Sequence, residues 1–205
     1  DEFDSDKLSL YWQWNHNPID EAWSLTARPG CLRLKTARVV DNLFVAPNTL
    51  TQRMVGPSCS ASVCIDLKGM KNGDRTGFAA YNGDSGVLTV EKNKGKKELV
   101  MSEQYSVFGD NQGVKVIKEV KTKEMARIPL KSNRIYLRID GEFGLGKDWA
   151  TFFYSLDGKQ WNQIGEPVKM VFDYRRMFMG SKYAVFNYAT KKLGGYVDVE
   201  SFEYK

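Results

Sequence analysis

The feature that most constrains this chain is the recurrence of apolar residues at every second position. Ala61, Val63, Ile65 and Leu67 alternate with Ser60, Ser62, Cys64 and Asp66. Such alternation puts one set of side chains on each face of an extended strand. Gly30 to Thr36 alternates in the same way, as does Arg134 to Asp140, and Tyr183 to Tyr188 is a further strand-like segment near the end. Leu8, Leu10, Trp12 and Trp14 share a phase, so residues 8–15 read as a strand with those four on one face. Gly77–Tyr81 and Gly86–Lys92 read as a strand pair joined by Asn82-Gly83-Asp84-Ser85. Ala150 to Leu156 is aromatic and strand-like, Asp157-Gly158 supplies a positive-φ hairpin turn, and Trp161 to Ile164 returns. Gly195 to Tyr204 closes the chain. No long segment shows a helical period. Turn signals recur about every ten residues, which predicts an all-β sandwich of roughly twelve to fifteen strands. Residues 39–49 and 68–74 read as longer loops.

Length supports one unit. The 205 residues carry no composition break, linker or internal repeat, so residues 1–205 read as a single β-sandwich domain. Hydrophobic residues make up 42% and charged residues 27%, which excludes a disordered or collagenous chain. No apolar run is long enough for a membrane-spanning helix. Aromatic residues reach 13%, more than a core of this size needs, and so leave aromatic surface to spare. The net charge of +5 is modest. Its one cluster, Lys92 to Lys97, reads as a solvated hairpin tip, not a phosphate-binding patch, because no interleaved aromatics accompany it. Neither nucleic acid nor membrane is expected as a partner.

The chain has 3 Cys and 1 His. Cys59 and Cys64 fall on one strand, roughly 16 Å apart, too far for a disulfide. Cys31 could reach one of them only if their strands adjoin. Free, mostly buried thiols are expected, and no zinc site. The chain begins at Asp1 without Met and reads as processed or excised, so missing targeting information does not argue for a cytoplasmic home.

Catalytic chemistry on a sandwich calls for two facing carboxylates about 5 to 9.5 Å apart. The local candidate, Asp198-Val199-Glu200, lacks the further Glu two residues before the Asp that the jelly-roll glucanase pattern sets, since Tyr196 stands there. These carboxylates read as surface or ion-binding groups. His16 has no Ser or Cys nucleophile at a recognisable motif, and no phosphate loop occurs. Ser155 to Trp161 resembles an Asp-box hairpin but lacks one spacer residue, and reads as a structural turn with a packed Trp.

What remains is a set of polar and aromatic groups suited to sugars. Flat rings stack on the apolar C–H face of a pyranose, and amides or Arg bind its hydroxyls. The densest stretch is Trp12-Gln13-Trp14-Asn15-His16-Asn17-Pro18. Trp12 and Trp14 run in phase with Leu8 and Leu10, which also allows a place in the core. Asn48-Thr49-Leu50-Thr51-Gln52-Arg53 is a second polar stretch, where Arg53 could equally make a structural ion pair. The candidate sugar contacts are Trp14, Asn15, His16, Asn17, Trp23, Thr49, Gln52, Arg53, Tyr81, Tyr105 and Tyr183.

These strings carry a resemblance, together with Ala22 to Gly30, Met70 to Gly77, Tyr154 to Trp161, Val185 to Tyr188 and Gly194-Gly195-Tyr196. Over nearly its whole length the chain resembles the C-terminal module of family 43 glycoside hydrolases, the β-xylosidases and α-arabinofuranosidases of plant hemicellulose. The resemblance implies a concanavalin A-like jelly-roll sandwich of two curved antiparallel sheets. It implies an N-terminal five-bladed propeller in the same protein that holds the catalytic carboxylates, so that this chain alone would not hydrolyse glycosides. It further implies plant cell-wall polysaccharide or oligosaccharide as the ligand and an extracellular or periplasmic home. Two segments depart from the family pattern: Val197 to Phe202 at the close, and Gly180-Ser181-Lys182-Tyr183 where Gly-x-Arg is usual. No cofactor is required. Sandwiches of this kind often hold one structural Ca²⁺, for which Asp4, Asp6 and Asp198 could supply oxygen ligands, unless the aspartates are only a solvated acidic N-terminus. The function expected is a noncatalytic accessory or carbohydrate-binding module, with a lectin-like interaction domain or a glycosidase on the sandwich itself as alternatives.

Overall fold

A computed structural model describes residues 1–171 and 180–205. It contains fifteen strands among the described residues: β1 (Gln13–Trp14), β2 (Trp23–Ser24), β3 (Leu32–Lys35), β4 (Leu50–Arg53), β5 (Ser58–Asp66), β6 (Asp74–Tyr81), β7 (Asp84–Asn93), β8 (Lys96–Asn111), β9 (Val114–Leu130), β10 (Arg134–Glu142), β11 (Trp149–Ser155), β12 (Asn162–Gln163), β13 (Val168–Lys169), β14 (Lys182–Ala189) and β15 (Tyr196–Tyr204). They form two antiparallel sheets. The seven-stranded sheet runs β1-β4-β14-β6-β7-β8-β9, and the eight-stranded sheet runs β12-β11-β10-β5-β15-β3-β2, with β13 on β11. The helical turns among the described residues, 20–22 and 43–45, are single 3₁₀ turns, and no helix among those residues is long and apolar enough to cross a membrane.

Alternation builds the core as expected. Ala61, Val63, Ile65 and Leu67 of the β5 stretch meet Phe78, Leu88, Tyr183 and Val185 of the facing sheet in one buried cluster. Tyr183 stacks on Phe78 at 5.5 Å between ring centroids. The two sheets approach closely at Gly86 on β7. A Cβ there would lie 2.1 Å from Cζ of Phe152 on the opposite sheet, so the ring occupies the space that a side chain would need.

The seven-stranded sheet is apolar on its outer face as well. Ala79, Tyr81, Val87, Ala184, Phe186 and Tyr188 form a second buried cluster with Leu43, Phe44 and Ala46. The loop expected over residues 39–49 therefore folds back onto the sheet as a lid. Asn42 caps its 3₁₀ turn by accepting a hydrogen bond from the Phe44 N–H.

Two expectations change. Residues 8–15 are not one strand. The Trp12 N–H donates to the Ser9 carbonyl at 3.1 Å, closing a turn that throws Leu10 outward. Leu10 is fully exposed (101%) and Tyr11 77% exposed, while Trp12 goes to the core. The second change is the long hairpin of β8 and β9, whose charged sequence hides its strands. β7 pairs with β8 only as far as Asp84 opposite Tyr105. Residues 106–120 continue beyond that rung as a two-stranded ribbon, turning at Gln112-Gly113 where both residues have positive φ. The Lys92–Lys97 hairpin tip is confirmed, with positive φ at Lys94 and Gly95.

Replacing Gly86 by Ala should destabilise the fold by about 1–3 kcal/mol, because a packed ring must shift. Adding Phe152→Leu should recover part of that loss. The midpoints of denaturant unfolding for the two single variants and the double variant check this. Additive effects would show that the two positions do not meet.

Candidate functional site

The structure brings the two polar stretches together, as a site would require, but their polar groups are spent on each other. Asn48 holds both the N–H and the C=O of Ile19, at 2.8 and 2.9 Å, from a left-handed backbone position. The Asn15 amide N–H₂ donates to the Tyr81 hydroxyl at 3.2 Å. The His16 ring nitrogen Nε2 lies 2.9 Å from the Phe44 carbonyl. These bonds pin the lid over the seven-stranded sheet.

Several candidate sugar contacts are consequently out of reach. Tyr183 is buried between the sheets, its hydroxyl near Cys59 and the Ile139 carbonyl. Tyr81 is buried under the lid, and burial pushes its hydroxyl up to about 12. Thr49 is buried and donates to the Ala46 carbonyl at 3.1 Å. For Tyr81 and Tyr183, alternation along a sheet with apolar side chains on both faces decides the outcome; Thr49 is held in the covering loop. Trp14 and Trp23 are half-buried and pack on each other at 5.2 Å. Tyr105 is half-buried on β8, opposite Asp84. Asn17, His16 and Arg53 stay exposed, and Gln52 is half-buried.

The aspartates considered as a calcium set do not fit one. Asp198 is buried, and Arg33 clamps it through Nε and Nη2 at 2.7 and 2.8 Å. Arg28 reaches Asp198 at 3.3 Å, Asp66 at 3.1 Å and Glu200 at 2.8 Å. Arg134 holds Glu200 at 2.8 Å. Asp4 and Asp6 are exposed. Among the described residues no group of three or more His, Cys, Asp or Glu is placed to hold a metal. The same arginines bear on Asp198 and Glu200 as a catalytic pair. Burial pushes the Glu200 carboxyl up, but hydrogen bonds from Arg134, Cys64 and Arg28 outweigh it and hold the group below the usual carboxylate range. A general acid needs the opposite shift. The three thiols are buried and free, and burial pushes Cys64 up to about 12, which leaves it a poor nucleophile.

Two surfaces escape the sequence reading. One is an apolar hollow of about 500 Å³ lined by Leu10, Tyr11, Val55 and Tyr204 with Gln13, Gln52 and Arg53. Val55 is 59% exposed. Its signal in the sequence was Leu10 itself, whose phase with Leu8 and Trp12 pointed inward. The other surface is a polar groove on the outer face of the eight-stranded sheet, beside Arg138 and Trp161.

The fold is thus a two-sheet sandwich with part of one outer face closed by its own loop and its carboxylate pair locked by arginines. Residues 1–205 match the model of the β-xylosidase C-terminal concanavalin A-like domain, and the chain belongs to that family. It is 31% identical over 226 residues to a β-xylosidase of Formosa agariphila, covering 100% of this chain and 34% of that protein. A solved structure described as a bifunctional GH43-CE protein of Bacteroides eggerthii is similar at a TM-score of 0.88 and 39% identity, over 100% of this chain and 25% of that one. A GH43 glycoside hydrolase whose engineered active site displays both endo-xylanase and exo-arabinofuranosidase activity is similar at 0.88 and 33%, over 100% of this chain and 40% of that one. The chain thus spans about a third of the length of the β-xylosidase that it matches.

The arginine network gives a pH prediction. A carboxyl whose folded pKa is depressed contributes stability above its unfolded value, and that stability is lost as pH falls through the folded value. The contribution of Glu200 should therefore be complete well above its reference value of 4.5 and fade below it. Glu200→Gln should lower stability at neutral pH and flatten the acid limb of a melting-temperature profile. An unchanged acid limb would exclude Glu200 as a contributor.

Proposed function

We propose that the chain is a noncatalytic accessory domain of a hemicellulose-degrading family 43 glycoside hydrolase, and that its task is to dock against and support the catalytic propeller of the same protein. The observation that carries this reading is the apolar hollow formed by Leu10, Tyr11, Val55 and Tyr204. A fully exposed Leu beside an exposed Tyr is costly on a free surface, and contiguous apolar patches mark interfaces. The hollow includes residues near the start of the chain, where a preceding domain would arrive. Gln13, Gln52 and Arg53 rim it with polar groups, the usual anatomy of a docking surface. Relatives far longer than this chain supply a partner of the right kind. Docking in the hollow would occupy Gln52 and Arg53, so those two candidate sugar contacts become interface residues in this reading. The reading needs no metal or cofactor, and it places the protein outside the cytoplasm, in the periplasm or beyond, where the polymer lies.

Replacing Leu10 and Val55 together by Asp in the parent enzyme should lower the temperature at which xyloside- or arabinoside-hydrolysing activity is lost by several degrees. The isolated 205-residue chain should keep its own melting temperature, since both side chains are already exposed. It should also release no xylose or arabinose. An unchanged inactivation temperature in the double variant would sink the docking reading.

A further inference from the structure

The outer face of the eight-stranded sheet carries a second surface that docking in the apolar hollow does not use. Its layout follows from strand register. On β10, Tyr136, Arg138 and Asp140 stand opposite Cys64, Ser62 and Ser60 of β5. On the other side of β5, Ser62 stands opposite Glu203, and Cys64 opposite Ser201 of β15. The backbones of Ser60 and Lys205 exchange hydrogen bonds at 2.9 and 2.8 Å. Small hydroxyl side chains therefore run down the middle, with Tyr136 and Arg138 along one side and Glu203 and Lys205 along the other. The turn at Gly158 brings Trp161 over the first side. The result is a groove of about 230 Å³ with a serine floor and an aromatic wall.

One donor in this groove, Arg138 Nε, is held in place without a hydrogen-bond partner among the described residues. The Arg138 guanidinium lies between two rings, 4.3 Å from the centroid of Phe153 and 4.8 Å from that of Trp161. Such a sandwich fixes the plane of its fork in advance. Arg138 Nε is 3.2 Å from Asp140 Oδ1, close enough for an ion pair. The N–H does not aim at that oxygen, and this buried atom has no hydrogen bond. Buried donors of this sort are rare without a reason, a missing ligand among them. Asp140 instead accepts a bond from the Ser60 hydroxyl at 2.6 Å. Among the described residues the Glu203 carboxylate pairs with Lys205, at 3.9 Å.

We propose that this groove binds one ring of a neutral oligosaccharide, making it a glycan-binding site separate from the docking hollow. Charge decides the class of ligand. Arg138 and Lys205 are balanced by Asp140 and Glu203, so neither an anion nor a cation is selected. A Trp ring, a positioned Arg fork, two serines and a carboxylate are the groups that recognise a polyol with an apolar face. The volume lies below the roughly 300–1,000 Å³ of pockets that enclose a drug-sized molecule. One ring would sit between Trp161 and Glu203 while the rest of the chain follows the open sheet. The sugar identity rests on the hemicellulose reading above; the groove and its unpartnered Arg138 Nε do not.

Titration of the full 205-residue chain with xylohexaose and arabinohexaose, by calorimetry, tests this. Saturable binding of at least one is expected. Trp161→Ala and Arg138→Gln should each weaken it about tenfold or more, and Trp161→Phe should stay within about threefold. Ser62→Tyr, which lays a ring across the floor without touching the wall, should abolish binding and covers the case in which Trp161→Ala fails to fold. Trp149→Ala, elsewhere on the same sheet, should change nothing. No saturable heat with either sugar up to about 10 mM, or binding indifferent to both Trp161 and Ser62, overturns the proposal. Neither outcome touches the docking reading, which is measured by thermal inactivation of the parent enzyme.

Discussion

The structure depends on a sheet that is apolar on both faces. One face of the seven-stranded sheet meets its partner sheet through Phe78, Leu88, Tyr183 and Val185, and the other presents Ala79, Val87, Phe186 and Tyr188. A face of that kind cannot be left in water, so the chain must cover it. The segment around Phe44 does so, and Asn15, His16 and Asn48 tie it down. Each buried aromatic of this type contributes about 1.5–3 kcal/mol through the water it releases. The same covering takes part of the face that an open sandwich of this architecture would offer to a ligand, and leaves beside it a polar hollow lined by Arg75, Glu91, Gln104 and Arg127. Two needs, hydrophobic closure and ligand access, compete for one surface here, and closure wins.

The eight-stranded sheet resolves the problem differently. Its outer face is polar, and acidic residues that would repel one another on neighbouring strands are neutralised from loop and strand by Arg28, Arg33 and Arg134. Asp66 and Asp198 stand directly opposite each other in the register, an arrangement tolerable only with a cation between them. Near that cluster the face is rigid and fully paired. Further along the same strands, beside Ser62 and Arg138, the pairing runs out, and the two regions differ in what they can accept.

Much of the architecture was legible in the sequence. Period-two alternation located the core strands, and Asp157-Gly158 marked a hairpin because only such residues accept its backbone. The free thiols followed from strand spacing. The ribbon of β8 and β9 was not legible, because polar and charged residues interrupt its apolar positions and leave no clean hydrophobic period. Leu10 misled for another reason: its phase was correct, but a single bond from Trp12 to Ser9 reversed the chain beneath it. The site was less legible than the fold. Asn15, His16 and Thr49 have the chemistry of ligand contacts, and nothing in one dimension tells whether an amide faces a sugar or a neighbouring loop. Trp161 was read as a packing residue. Its stacking on Arg138 depends on register across three strands, which one-dimensional spacing does not contain.

The ribbon of residues 106–120 has a consequence for how molecules of this chain meet in solution. Among the described residues β9 is the last strand of its sheet, and its 17 residues present a long edge with no partner strand beyond it. An edge of that length is an open template on which a second chain could add a strand, and Val114 and Ile117 on it are exposed. Lys115, Lys118, Lys121 and Lys123 recur along the same edge at intervals of two or three residues. Any incoming copy in register would bring its own lysines against them. The positive charge that seemed uninformative in the net total is thus distributed where it keeps like molecules apart, and added salt would weaken that protection.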